Sequence, residues 1–201
     1  MPADIPHEIA LSLRAQHRKS SLSRRDALSR EERTLFSQRA CDHFIKYLEK
    51  TGTDFSRLIL AGYWPIKSEI DPRPLLNAIT LRGGRLALPA VVDSTTMIFR
   101  AFSPDMTLKP MRFGTFGPDG ENAVVFPNMI IVPLSAFDPQ CHRLGYGGGY
   151  YDRTVKVLEK QGYQPTLLGL GFSCQEVSSI PATEHDLQVQ GIFTEKGFLK
   201  C

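Results

Sequence analysis

Long apolar runs are missing from this 201-residue chain: none approaches the roughly 20 residues that a membrane-spanning helix needs. A strong charge excess is missing too. The 24 Lys and Arg nearly balance the 21 Asp and Glu, leaving a formal +3. That mild charge suits anionic small molecules and does not call for nucleic acid. Cysteine is sparse. Cys41, Cys141, Cys174 and Cys201 are scattered, and without a C-x-x-C pair the usual zinc spacings are excluded. No secretory leader is legible at Met1 to Ala10, which Pro2, Asp4, Pro6 and Glu8 interrupt. A reducing cytoplasm with free thiols is the expectation. Repeats, low-complexity stretches and linkers are absent, so one domain is expected.

What is present is an ordinary globular balance, 42% hydrophobic and 22% charged. Residues Ile9 to Asp26 read as a basic, polar helix. Ser29 and Glu32 match a capping box for a second helix, whose apolar residues Phe36, Ala40, Phe44 and Leu48 fall four apart, with Thr51 to Thr53 ending it. Arg57 to Tyr63 reads as a strand. Asp71 and Pro72 read as N-cap and first turn of a helix over Arg73 to Leu81. Arg85 to Pro89, Met97 to Phe102 and Thr166 to Gly171 read as strands, and Leu187 to Phe193 as the final one. Pro104 to Gly120 reads as loop, because prolines and glycines break it throughout. Strands alternating with helices predict an α/β fold: a single domain with a mostly parallel sheet covered by helices on both faces.

The most informative stretch is Asn128 to Lys156. Met129 to Val132 is an unbroken apolar run, read as a buried strand. Arg143-Leu-Gly145-Tyr-Gly147-Gly148-Gly149-Tyr150-Tyr151-Asp152 follows, then a helical pattern through Val155 and Leu158. A strand, a glycine turn and a helix start can hold an anion: glycine lets backbone N–H groups approach phosphate oxygens, and the helix N-terminus adds partial positive charge. A tight turn without ligand is the other reading. This is not a P-loop, since no Gly-Lys-Ser/Thr ends it, and Tyr150 spoils a dinucleotide fingerprint. Arg143 could pair with phosphate, and Asp152 with Mg²⁺. Asp186 is the second metal candidate, unless Glu184-His185-Asp186 is an ordinary polar turn. Arg14 and Arg18 share a helix face and could clamp a triphosphate, although a solvated basic face is the default. Glu69 near Trp64 could take a flat nitrogen-rich ring; a surface carboxylate is the plainer reading. His142 and His185 read as exposed loop histidines, and Ser135 lacks a nucleophile elbow. The loops after three strands, Trp64 to Glu69, Phe137 to Asp152 and Phe172 to Asp186, are expected on one rim.

These residues, Val132-Pro133-Leu-Ser-Ala-Phe137-Asp138 with Arg143 to Arg153 above all, resemble the 5-formyltetrahydrofolate cyclo-ligase family. Supporting matches are Arg24 to Arg33, Ser68-Glu69-Ile-Asp71, Leu88-Pro89, Gln175, and Pro181 to Asp186 ahead of Thr194-Glu195. The resemblance implies cyclisation of 5-formyltetrahydrofolate to 5,10-methenyltetrahydrofolate, dependent on ATP and Mg²⁺ and releasing ADP and phosphate. The formyl oxygen would attack the γ-phosphate, and N10 would then close the ring as phosphate leaves. It implies an ATP loop over Arg143, Leu144, Gly145, Tyr146, Gly147, Gly148, Gly149, Tyr150 and Tyr151, with Arg14 and Arg18 on the phosphates. Tyr146 to Tyr150 would also face the folate, together with Trp64 and Glu69, and Asp152 and Asp186 would hold magnesium. The implied partners are a reduced folate and ATP, with neither nucleic acid nor membrane, in a monomer or small homo-oligomer. Arg14 stands where the family places Lys, His17 where Leu is usual, and Gly117 where Glu precedes the proline. A non-catalytic folate- or RNA-binding module and an enzyme acting on sugar phosphates are the competing readings.

Overall fold

The computed structural model describes residues 6–111, 114–183 and 186–201. Met1 to Ile5, Phe113, Glu184 and His185, on which some sequence expectations fall, lie outside the described residues.

Two helices open the chain, α1 (His7–Asp26) and α2 (Arg30–Lys50). They part at Ala27-Leu28 because Ser29 starts α2 with a full capping box: its side chain accepts from Glu32 N, and the Glu32 carboxylate accepts from Ser29 N. Next come β1 (Ile59–Ala61), α3 (Arg73–Leu81), β2 (Arg85–Val91) and β3 (Met97–Phe102). A small hairpin, β4 (Lys109–Pro110) and β5 (Phe116–Gly117), precedes β6 (Met129–Pro133). A second, β7 (Ala136–Phe137) with β8 (Arg143–Leu144), leads into α4 (Tyr150–Lys160). The chain ends through β9 (Thr166–Leu170), β10 (Gly191–Thr194) and β11 (Gly197–Lys200).

The main sheet has seven strands in the order β11-β10-β9-β6-β1-β2-β3. Pairings β2·β1, β1·β6, β6·β9 and β9·β10 are parallel, and the two edge pairings are antiparallel. The expected mostly parallel α/β sheet is what forms. Alternation along the strands splits the core. Leu60, Leu86, Leu88, Ile131, Leu168 and Leu170 face α2 and α3, packing on Phe44, Leu48, Leu75 and Ile79. Ala61, Ala87, Ile130, Val132 and Leu167 face the other way, onto Val155 and Leu158 of α4. Phe36 is only half-buried, whereas Ala40, Phe44 and Leu48 are fully enclosed.

Several boundaries move. Leu187 to Gln190 is not strand; β10 starts at Gly191, which pairs with Lys200 of the edge strand β11, its parallel register to β9 starts at Ile192, and Gly197 has φ 131 at the return. Pro104 to Gly120 carries the β4–β5 pair despite its breakers. Asp71 precedes Pro72, which holds the N-cap position of α3, yet its carboxylate still accepts from Arg73 N at 2.9 Å. The expectation of four free thiols also fails: Cys141 and Cys201 are disulfide-bonded with Cα atoms 5.8 Å apart, while Cys41 and Cys174 are free. Sixty residues separate that pair, so spacing carried no sign of it. Among the described residues no helix is long and apolar enough to cross a membrane.

Candidate active site

The chain leaves β1 towards β2 on one side of the sheet and later lays β6 on the other. At such a switch point the loops beyond the carboxyl ends diverge and leave a crevice. The 62–72 segment follows β1, the 134–149 segment follows β6, and the 171–186 segment follows β9. All three meet, as the sequence anticipated. Gln175 Nε2 donates to Leu134 O and Ser135 O at 2.9 and 3.1 Å, and Phe137 bridges to Glu176.

Asp138 shapes the central segment. It is fully buried, and its Oδ1 accepts from Gln140 N and His142 N at 3.0 and 2.9 Å. Its Oδ2 accepts from Ile180 N at 2.8 Å and lies 2.9 Å from His142 Nδ1. One carboxylate thus closes the β7–β8 turn and ties it to the chain running to Asp186. His142 is therefore engaged rather than an exposed loop histidine. Ser135 is buried and donates to Leu144 O at 2.8 Å and Gly145 O at 3.2 Å, a structural role.

Arg143 emerges from β8 at 6% exposure, with Nη2 donating to Asp152 Oδ1 at 3.0 Å. Leu144 is fully buried as the anchor. The glycine loop then runs at the surface. Gly147 has φ 97 and Gly149 has φ 65, a region costly for any other residue. Gly149 occupies the N-cap of α4, and no side chain caps that helix, so its first N–H groups are open to a ligand. Tyr150 turns away, its hydroxyl 3.0 Å from Ser94 O. Tyr151 turns inward.

The arginines of α1 are not a solvated face. Arg14 forks onto Asp186 at 2.6 and 2.7 Å and donates to Pro181 O at 2.8 Å. Arg18 Nε donates to Gly145 O at 2.8 Å. Arg24 donates to Cys174 O and Glu176 O. Periodicity does not say what a polar face meets; this one meets the carbonyl-rich rim rather than solvent. Burial lowers the Arg18 pKa, and the nearby Arg14 cation lowers it further. Burial pushes the Asp186 carboxyl up, but hydrogen bonds from Arg14 and Thr183 outweigh it and hold the group below its ordinary range. Asp152 also accepts from Leu187 N at 3.0 Å, so the two acidic candidates belong to one region. His142, Arg143, Ile180, Thr183, Asp186 and Leu187 line a cleft there.

Glu69 is half-buried rather than a plain surface carboxylate. Its Oε2 accepts from Ile66 N at 2.9 Å, closing a turn in which Lys67 has φ 53. Burial raises its pKa, against hydrogen bonds from Ile66 and Tyr146 and the charges of Arg25 and Lys67. Tyr146, beside it, is pushed up to about 12, by burial first and then by the Glu69 charge. Trp64 packs edge-on to Phe102, with the Arg73 guanidinium 5.2 Å over its ring. Sequence reading missed Arg25, Ser68 and the organising part of Asp138. They sat inside matching motifs, but only the packing shows what they hold.

Among the described residues, Arg143 Nε and the Tyr151 hydroxyl are buried without a hydrogen-bond partner. Burial raises the Tyr151 pKa well above its ordinary value; the Glu69 charge adds to this and Arg143 opposes it. An unpaired guanidinium N–H and an unpaired phenol suit an anionic, oxygen-rich ligand. Asp152 and Asp186 carry hard oxygen atoms of the kind Mg²⁺ prefers, although among the described residues no three or more His, Cys, Asp or Glu cluster as a metal set.

The sequence pattern describing the 5-formyltetrahydrofolate cyclo-ligase family matches residues 11–195. The chain is 32% identical to the 5-formyltetrahydrofolate cyclo-ligase of Haemophilus influenzae over 132 residues, covering 63% of this chain and 69% of that protein. It is 28% identical to the Escherichia coli K12 enzyme of that name, covering 85% of this chain and 94% of the other. Among solved structures, 5,10-methenyltetrahydrofolate synthetase of Aquifex aeolicus superposes with a TM-score of 0.74 at 31% identity, over 94% of this chain and 92% of that one. The Mycoplasma pneumoniae synthetase, at 24% identity and a TM-score of 0.71, shares the fold. With the match running through nearly every element that builds the rim, the chain belongs to the 5-formyltetrahydrofolate cyclo-ligase family.

Proposed function

We propose that this protein converts 5-formyltetrahydrofolate to 5,10-methenyltetrahydrofolate at the expense of ATP, with Mg²⁺, as the family name and the site chemistry together support. The observation that carries the nucleotide part is the buried, unpartnered Nε of Arg143 beside an uncapped helix start and an exposed glycine loop.

The chemistry assigns the work. A formamide oxygen is a poor leaving group, so it must be phosphorylated before N10 can close the ring. The chain's task is to hold two substrates in line and stabilise phosphoryl charge. Arg143, with backbone N–H groups of Gly145 to Tyr151, holds the phosphates. Arg14 and Arg18 approach from α1 and add positive charge. Asp152 and Asp186 would hold Mg²⁺, which when bound neutralises phosphate charge. Glu69 accepts N–H groups of the pterin, with Tyr146 beside it and Trp64 on the same loop. The 145–149 stretch would face both substrates, bringing the formyl oxygen towards the terminal phosphate.

Both acidic residues are paired with arginines here, Asp152 with Arg143 and Asp186 with Arg14. Binding of Mg·ATP would exchange these partners, carboxylates to the cation and guanidiniums to phosphate, with little net charge left unpaired. Because Arg14, Arg18, Arg24 and Arg25 all serve internal contacts, an RNA-binding face on α1 has less support than the enzyme reading. We place the enzyme in the cytoplasm, where Cys41 and Cys174 stay as thiols.

The test is to mix protein, ATP, Mg²⁺ and 5-formyltetrahydrofolate and follow methenyl-folate absorbance. Growth of that absorbance, dependent on all components, is expected. No product across a range of pH and salt would overturn the reading, and salt-sensitive RNA binding without turnover would favour the binding module.

A further inference from the structure

Arg25 is the most deeply buried arginine among the described residues, at 2% exposure near the end of α1. Among the described residues no carboxylate lies within 4.0 Å of its guanidinium, whereas Arg14, Arg73, Arg82 and Arg143 each have one. A buried cation without an ion pair is costly and calls for an explanation. Its surroundings supply one. Nε donates to Ser68 Oγ at 3.0 Å, and Ser68 Oγ in turn donates to Asp26 Oδ1. The guanidinium carbon lies 5.9 Å from the centre of the Tyr146 ring. Three segments far apart in sequence therefore converge on one side chain: α1, the turn that carries Glu69, and the glycine loop.

We propose that Arg25 is a positioning residue for the folate side of the site, locking the Glu69 turn against the glycine loop so that Glu69 and Tyr146 meet the pterin as one unit. The proposal rests on the folate-ligase reading of this site. It assigns Arg25 no contact with substrate; the residue acts through Ser68 and Tyr146. Its charge has a second consequence. The titratable and charged groups around Glu69 are Tyr63 just beyond β1, Lys67 in the same turn, Arg25, Tyr146 and Tyr151. Burial drives Glu69 towards its neutral form, and Arg25 and Lys67 are the cations that oppose this. Since a carboxylate accepts pterin N–H groups and a carboxylic acid also donates, Arg25 adds its charge to the Ile66 and Tyr146 hydrogen bonds that favour the accepting form of Glu69.

The test is steady-state kinetics of Arg25→Met, Arg25→Lys and Ser68→Ala, with folate and ATP varied separately and kcat/KM for folate measured against pH. Arg25→Met should raise KM for folate about tenfold while KM for ATP stays within about twofold. Its acidic limb should move to higher pH, because the cation that lowers the Glu69 pKa is gone. Arg25→Lys should bring that limb back towards wild type while KM for folate stays raised, since an ammonium restores charge but not the planar group that reaches Ser68 and lies by the Tyr146 ring. If Arg25→Met fails to fold, Ser68→Ala decides the matter by the same selective rise in KM for folate. Equal loss for both substrates, an unmoved acidic limb, or unchanged KM for folate would each overturn the proposal. Absence of turnover in the wild-type protein would instead sink the parent reading.

Discussion

Asp138 offers the sharpest test of how the site is held. Its carboxylate satisfies three backbone N–H groups and faces the His142 ring from a fully buried position. Asp138→Asn preserves the shape and the two bonds to Oδ1. It places an NH₂ where Oδ2 accepted, so a donor meets the buried N–H of Ile180. His142 can adapt by changing tautomer, but a backbone amide cannot. One stranded buried N–H costs about 1–3 kcal/mol. Asp138→Ala strands all three backbone donors and empties the position, and should cost about 3–5 kcal/mol, the range for breaking a buried charged network. With a urea slope of about 2 kcal/mol/M, the midpoint should fall by about 1 M for Asn and about 2 M for Ala. Unfolding should be followed by circular dichroism with reductant present, so that the Cys141–Cys201 bond does not hold the turn. The folded Asn variant should also show a raised KM for ATP, because Asp138 sets the start of the strand that carries Arg143. An Asn variant within about 0.5 kcal/mol of wild type, well under the loss of one buried bond, would refute the reasoning.

Asp152→Asn should cut turnover at limiting Mg·ATP by at least about tenfold while leaving thermal stability within a few degrees, since the group is half-exposed and proposed as a ligand; normal turnover would remove it from the metal set. Gly147→Ala meets no atom within 4 Å but must hold φ 97, so it should lose about 1–2 kcal/mol of stability and weaken ATP binding; unchanged ATP affinity would argue against a phosphate cradle. Asp186 has a lowered pKa, so its stabilising contribution is complete above its unfolded value and is lost as pH falls through the folded one. Asp186→Asn should therefore flatten acid unfolding below about pH 4 and leave stability near neutrality lower but pH-independent in that range; an acid limb identical to wild type would contradict the assignment.

The sequence alone determined the alternation of strands and helices, the capping box at Ser29, the glycine loop with Arg143 and Asp152 at its ends, and the family resemblance that the comparisons then bore out. These are local signals: periodicity, caps and turn chemistry act over a few residues, so they survive without the rest of the chain. Tertiary structure alone decided that Arg14 reaches Asp186 across 172 residues, that Cys141 meets Cys201, that β10 starts at Gly191 with β11 as the edge, and that Arg25 lies buried between Ser68 and Tyr146. A helix face written in arginines looks the same whether it meets water or a rim of carbonyls, because its partners belong to other segments. The switch of strand order at β1 and β6 is what brings those segments together, and no spacing within one segment encodes it.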